Sequence, residues 1–182
     1  MGFFLFSSAL AALPSQANAP MTPAPSAAYA VTLTAYNAVP AQTDADPLVT
    51  ASGAYSNPEV VAARSQDFAH ELPFGTIIEI QGPSSPENSC GYSIVSPTIG
   101  YRVIADTMNA RYTDRIDVLL STKANYVMAD GSVKNAASIL GVCGGTRIRV
   151  VGHIDLTNPQ NLPKSQAALA ALVIGDGGIA LK

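Results

Sequence analysis

The chain has 182 residues, of which 48% are hydrophobic and 13% charged, with a net charge of −3 and a pI near 5.2. That length suffices for one domain with a sizeable core plus tails. The composition excludes a disordered, highly charged chain, and the mild acidity without any Lys/Arg run excludes a nucleic-acid surface, so a neutral or weakly charged partner fits better.

The first residues read as a targeting segment. Phe3-Phe4-Leu5-Phe6 through Ala9-Leu10-Ala11-Ala12-Leu13 has the length of an h-region, Pro14 breaks it, and Ala17-Asn18-Ala19 is a small-x-small cleavage pattern. No Lys or Arg precedes the run, Pro20 would follow the cut, and Ala28-Tyr29-Ala30 offers a second site. An uncleaved apolar anchor is the alternative, but the run is short for a bilayer. Residues 1–30 are therefore expected to be a signal peptide and Pro/Ala linker. The product is expected to be exported to the periplasm, outer membrane or cell wall. It would meet the membrane only through this segment and act as a monomer.

From Val31 the texture changes. Val31–Tyr36 alternates at period two, which is a strand signal. Pro40–Asp46 is a polar loop and Thr50-Ala51-Ser52-Gly53 a turn. Val60–Ala63 is a short apolar strand, and Leu72-Pro73-Phe74-Gly75 turns into a strand at Thr76–Ile80. Gln81–Gly100, rich in Pro, Ser and Gly, reads as an inserted loop or hairpin. Tyr101–Ser121 reads as strand, turn, strand. Short helices are expected at Lys123–Met128 or Ala136–Leu140. Thr146–Val151 is the last clear strand, with Arg147 and Arg149 facing one way and Ile148 and Val150 the other. About six short strands punctuated by Gly and Pro indicate an all-β barrel over residues 31–155. Residues 156–182 form a tail with a short helical candidate at Ser165–Ile174.

Cys90 and Cys143 are the only cysteines. In an exported chain an even pair suggests one disulfide, and closing a loop of this length is worth on the order of 4 kcal/mol. Two unpaired thiols in a reducing compartment are the alternative. No Cys/His spacing points to a metal, and neither His70 nor His153 has a partner at ligand spacing. No phosphate loop follows Gly144-Gly145, and Ser52-Gly53 lacks the context of a nucleophile elbow.

The chemistry-bearing residues lie in Tyr101–Ser121. Asp106 follows Arg102-Val103-Ile104-Ala105, and Asp117 sits within Ile116-Asp117-Val118-Leu119. A carboxylate in an apolar run is costly unless it is paired, hydrogen-bonded or used. Two carboxylates on adjacent strands would suit glycosidic-bond chemistry.

Several pieces now stand in order: Thr34-Ala35-Tyr36, Gln42-Thr43-Asp44-Ala45-Asp46-Pro47, Thr50-Ala51-Ser52-Gly53, Val61-Ala62-Ala63, Leu72-Pro73-Phe74-Gly75-Thr76, Asp106-Thr107 and Arg115-Ile116-Asp117-Val118. Over Val31–Gly152 the chain resembles the 3D domain, a double-psi β-barrel named for three aspartates. That family includes the catalytic part of membrane-bound lytic transglycosylase A. Rare lipoprotein A and the expansins are more distant relatives. The resemblance implies a six-stranded double-psi barrel with short helices or loops inserted, exported and directed at peptidoglycan glycan strands, with no cofactor and no metal. It makes Asp44, Asp106 and Asp117 the three aspartates. The family's enzymes follow Asp-Thr with a glycine turn. Here Met108-Asn109-Ala110-Arg111-Tyr112 stands instead, closer to a subgroup with an Asn-x-Arg-Tyr/Trp turn.

On this reading Asp117 is the single acid–base group of a lytic transglycosylase-like cleavage, its pKa raised by its apolar neighbours and by Asp106. Asp106 is the second carboxylate. Asp44, Tyr36, Tyr112 and Asn109 are substrate-binding candidates, the tyrosines through stacking on a sugar face or else as barrel packing. Two other readings stay open. The aspartates could be satisfied by backbone N–H groups or by Arg102, Arg111 or Arg115, leaving a non-catalytic glycan-binding or wall-loosening barrel. The barrel could also be a structural envelope protein.

Overall fold

The computed structural model describes residues 27–43, 46–84 and 90–175. The expected leader and most of its linker lie outside these residues, as does Asp44. Among the described residues there are eight strands: β1 (Ala28–Tyr36), β2 (Val61–Arg64), β3 (Thr76–Gln81), β4 (Arg102–Thr107), β5 (Arg115–Leu119), β6 (Asn125–Val127), β7 (Val133–Asn135) and β8 (Cys143–His153). Three short α-helices accompany them: α1 (Tyr92–Val95), α2 (Ala136–Leu140) and α3 (Gln166–Gly175).

Six strands close a mixed barrel in the order β1-β5-β2-β4-β3-β8. Two neighbouring pairs are parallel, β1 with β5 and β2 with β4, and the other four are antiparallel. Parallel neighbours need crossover connections, so each parallel pair threads the chain across the barrel rather than around it. The arrangement is consistent with a double-psi barrel. Closure leaves the barrel itself without an open edge.

Alternation in sequence becomes two-sided burial. Val31, Leu33, Ile104, Ile116, Val118 and Ile148 join one apolar cluster, while Val61, Ala63, Ile77, Val103 and Leu119 join the other. Each fully buried Leu or Ile is worth about 1.5–3 kcal/mol over its exposed state. In β8, Arg147 and Arg149 are exposed and Ile148 is buried, as the period-two pattern requires. Arg149 pairs across the barrel wall with Glu79 at 2.7 Å, its register partner on β3.

The turn before β3 depends on Gly75, at φ 96°. A Cβ there would run into the Ile154 carbonyl. Its N–H donates to Ile104 and its carbonyl accepts from Ile154, joining β4 to the chain beyond β8.

Two expectations need correction. Tyr101–Ser121 is not a hairpin of adjacent strands, because β2 lies between β4 and β5. Lys123–Met128 is not helical: Asn125–Val127 forms β6, paired antiparallel with β7. The Asn135 side chain closes this unit by donating to the carbonyls of Ser121 and Thr122 and accepting from Ala137 N–H at the start of α2. Ala136–Leu140 is helical, as expected.

Cys90 and Cys143 form a disulfide, tying the segment before α1 to the start of β8. Such a bond points to an oxidising compartment. No helix among the described residues is long and apolar enough to cross a membrane. The chain after β8 packs back on the barrel. Leu156, Leu162 and Leu169 are buried in the second cluster, and the Gln166 side chain bonds both the N–H and the carbonyl of Tyr101. β1 begins at Ala28, so Ala28-Tyr29-Ala30 is the first part of a barrel strand.

Candidate active site

The pairing registers bring four residues into one row. Thr34 on β1 is opposite Asp117 on β5, Asp117 is opposite Ala63 on β2, and Ala63 is opposite Asp106 on β4. Directly opposed residues share a face of the sheet. The two aspartates are thus two inter-strand spacings apart, about 10 Å between Cα atoms. The smallest chiral side chain lies between them.

A β-bulge sets this row. Ala62 pairs with Ile104, but Ala63 pairs with Asp106, so Ala105 is an extra residue on β4. Without it, Asp106 would slip one place along β2 and turn to the other face. The bulge carbonyl of Ala105 accepts from Ser52 N–H at 3.0 Å, which fixes the Thr50–Ala54 turn against β4.

Asp106 is held by three donors. Its Oδ1 accepts from Ala51 N–H at 3.0 Å and Thr107 N–H at 2.9 Å, and its Oδ2 accepts from the Tyr36 hydroxyl at 2.8 Å. Tyr36 is largely buried, with its hydroxyl turned to Asp106. Burial, then the charge and hydrogen bond of Asp106, raise its hydroxyl well above the usual tyrosine range, so it stays protonated as a donor.

Asp117 is in a different environment. Its one side-chain bond is from the Thr34 hydroxyl to Oδ1 at 2.8 Å. Burial pushes its carboxyl up to about 6; the Thr34 bond opposes the rise, Asp106 adds to it, and the Arg115 charge subtracts. Two nearby carboxyls with such different surroundings suit different roles.

None of the three arginines weighed as partners forms an ion pair with either aspartate among the described residues. Arg102 is fully buried and donates to the carbonyls of Pro58, Thr98, Ile99 and Leu119. Arg111 donates to the Tyr112 hydroxyl at 2.8 Å. The guanidiniums of Arg111 and Arg115 lie 4.7 and 4.9 Å from the Tyr112 ring centroid.

Both aspartates open onto a cleft of about 690 Å³. Tyr36, Asn109, Tyr112, Arg111, Gln42 and Thr43 are among its lining residues. Five of the expected site residues, Tyr36, Asp106, Asn109, Tyr112 and Asp117, therefore meet there, with the Tyr36 hydroxyl bonded to Asp106. Asn109 is exposed and its side chain accepts from Arg111 N–H, bracing the turn. Thr34 and Ala63 also belong to the site; neither was expected there as a functional residue, and the strand register brings them in. Among the described residues no group of three or more His, Cys, Asp or Glu could hold a metal ion.

No protein-family model matches the chain, and no curated protein matches it.

Proposed function

We propose that the protein is an exported barrel of the 3D type that cleaves glycosidic bonds of peptidoglycan by a lytic transglycosylase-like route. The observation that carries this reading is Asp117. It is a carboxyl raised to about 6, at an open cleft and, among the described residues, without an arginine ion pair. A group with that pKa is partly protonated in mildly acidic to neutral medium and can serve as acid and then as base.

The chemistry needs only one such group. Protonated Asp117 gives its proton to the glycosidic oxygen as the C1–O bond breaks. The resulting carboxylate then takes the proton of the muramic 6-hydroxyl as that oxygen bonds to C1, giving a 1,6-anhydro product without water. Asp106 is suited to a different task. Its three donors fix its orientation, and its charge stabilises the oxocarbenium-like centre. Ala63 leaves room between the carboxyls for the sugar.

Export is supported by the disulfide and by the apolar leader. A non-catalytic glycan-binding barrel is the second reading. It is favoured by the turn Met108–Tyr112, where side chains occupy the place of a glycine turn.

The test is incubation of the protein with peptidoglycan sacculi and mass spectrometry of what is released. Anhydro-muropeptides from wild type and none from Asp117→Asn are expected. Reducing-end products would replace transglycosylation by hydrolysis. Cosedimentation with sacculi without release would establish the binding barrel.

A further inference from the structure

The turn Asn109-Ala110-Arg111-Tyr112 brings a cation to the cleft that holds Asp106 and Asp117. Arg111 is exposed and lines that cleft, and among the described residues it forms no ion pair. A guanidinium near two carboxylates would ordinarily be drawn to them. Here it is held elsewhere. Its Nη2 donates to the Tyr112 hydroxyl at 2.8 Å, its carbon lies 4.7 Å from that ring's centroid, and its backbone N–H is fixed by Asn109 Oδ1. Among the described residues one of its five side-chain donors is occupied, by the Tyr112 hydroxyl.

Arg115 strengthens the local field. Its guanidinium is 4.9 Å from the same ring centroid, and it too has no ion pair among the described residues. Two like charges converge on one aromatic ring at the cleft. Their mutual repulsion is relieved when an anion docks, and the planar fork of arginine matches a carboxylate bidentately.

We propose that Arg111, braced on Tyr112, is a subsite for a carboxylate carried by the substrate, so that the cleft prefers glycan bearing acidic peptide stems to unsubstituted neutral glycan. The choice of ligand rests on the peptidoglycan reading above; the anion subsite itself rests on the geometry of Arg111, Arg115 and Tyr112. A cleft lined only by Asp106 and Asp117 would repel such a stem. The arginine reverses that preference at one position without neutralising Asp117.

The experiment is an NMR titration of the full chain with N-acetyl-L-alanyl-D-glutamate and, separately, with its diamide, following the Arg111 Nε–H signal. The acidic peptide is expected to move that signal saturably and the diamide to leave it unchanged. A disaccharide carrying the same peptide should bind about tenfold more tightly than its diamidated form, the scale of one charge-assisted bidentate contact. Arg111→Gln, at an exposed position where the fold tolerates change, should reduce that ratio to less than about twofold. Equal effects of acid and diamide, or an undiminished ratio in Arg111→Gln, overturn the subsite. If the acidic peptide moves Arg111 but sacculi are neither bound nor cut, the carboxylate subsite stands and the cell-wall reading falls.

Discussion

Thr34 donates its hydroxyl to Asp117 Oδ1 at 2.8 Å across the parallel β1–β5 pair. That bond stabilises the charged carboxylate against burial, which favours the neutral acid. Thr34 thus holds one carboxylate oxygen of Asp117 and keeps its pKa below what burial alone would give.

Thr34→Val keeps the side-chain shape and removes the donor. The Asp117 pKa should move upward from about 6. A carboxyl 13C titration reads this directly, whether or not a substrate is present. On the proposed mechanism the alkaline limb of the cleavage rate moves the same way. An unchanged titration would mean that the bond does not bear on Asp117.

Asp117→Asn should alter stability with a definite sign. The folded-state pKa of about 6 exceeds the ordinary 3.8, so the folded state holds this proton more tightly. The stabilisation is complete below about pH 4 and is lost as pH rises to about 6. The Asn variant keeps an acceptor for Thr34 and has no such loss. Its advantage over wild type should grow across that window to on the order of 2 kcal/mol and then stay level, with residual exposure of Asp117 keeping the figure small. Urea denaturation at several pH values measures it. A pH-independent difference would place the titration elsewhere.

Ala63→Leu should close the space between the carboxyls. Ala63 is 3% exposed and is the register partner of both aspartates. Overpacking costs about 1–3 kcal/mol. Release from sacculi should disappear while Ala63→Gly retains it. Full activity of the Leu variant would show that substrate does not pass between Asp106 and Asp117.

Reduction of Cys90–Cys143, or its replacement by serines, should lower stability by about 4 kcal/mol in the chain-entropy account. The bridge spans 53 residues and includes β4 and β5 within its loop. Denaturation with and without reductant checks the figure. No change would mean that the unfolded chain is already constrained there.

The barrel strands were legible because they alternate and are bounded by Gly and Pro. Val31–Tyr36 and Thr146–Val151 are the clearest cases, although the strands they lie in run from Ala28 and to His153. Asp106 and Asp117 stood out because each interrupts or ends an apolar run. What could not be read was who pairs with whom. Val61–Arg64 is buried throughout, so its sequence carries no face pattern and gives no hint that it separates β4 from β5. The same gap hid Thr34 and Ala63, whose roles come from register alone. Arg102 was weighed as a carboxylate partner, but the backbone carbonyls of Pro58, Thr98 and Ile99 claim it. The three-residue strand at Asn125 was too short to show a period, and the side-chain bonds of Asn135 fix it.

The row Thr34–Asp117–Ala63–Asp106 draws on four strands from three distant parts of the chain. The segment Tyr101–Ser121 contains both aspartates, yet by itself it has neither the spacer strand nor the threonine. The site therefore has no local precursor. It comes into being only when the long-range parallel pairings close, the slowest class of contact for a chain to make. On the proposed function, a nicked or half-folded copy would carry every residue of the site and still be inert, and activity would arrive only with the last strand to dock.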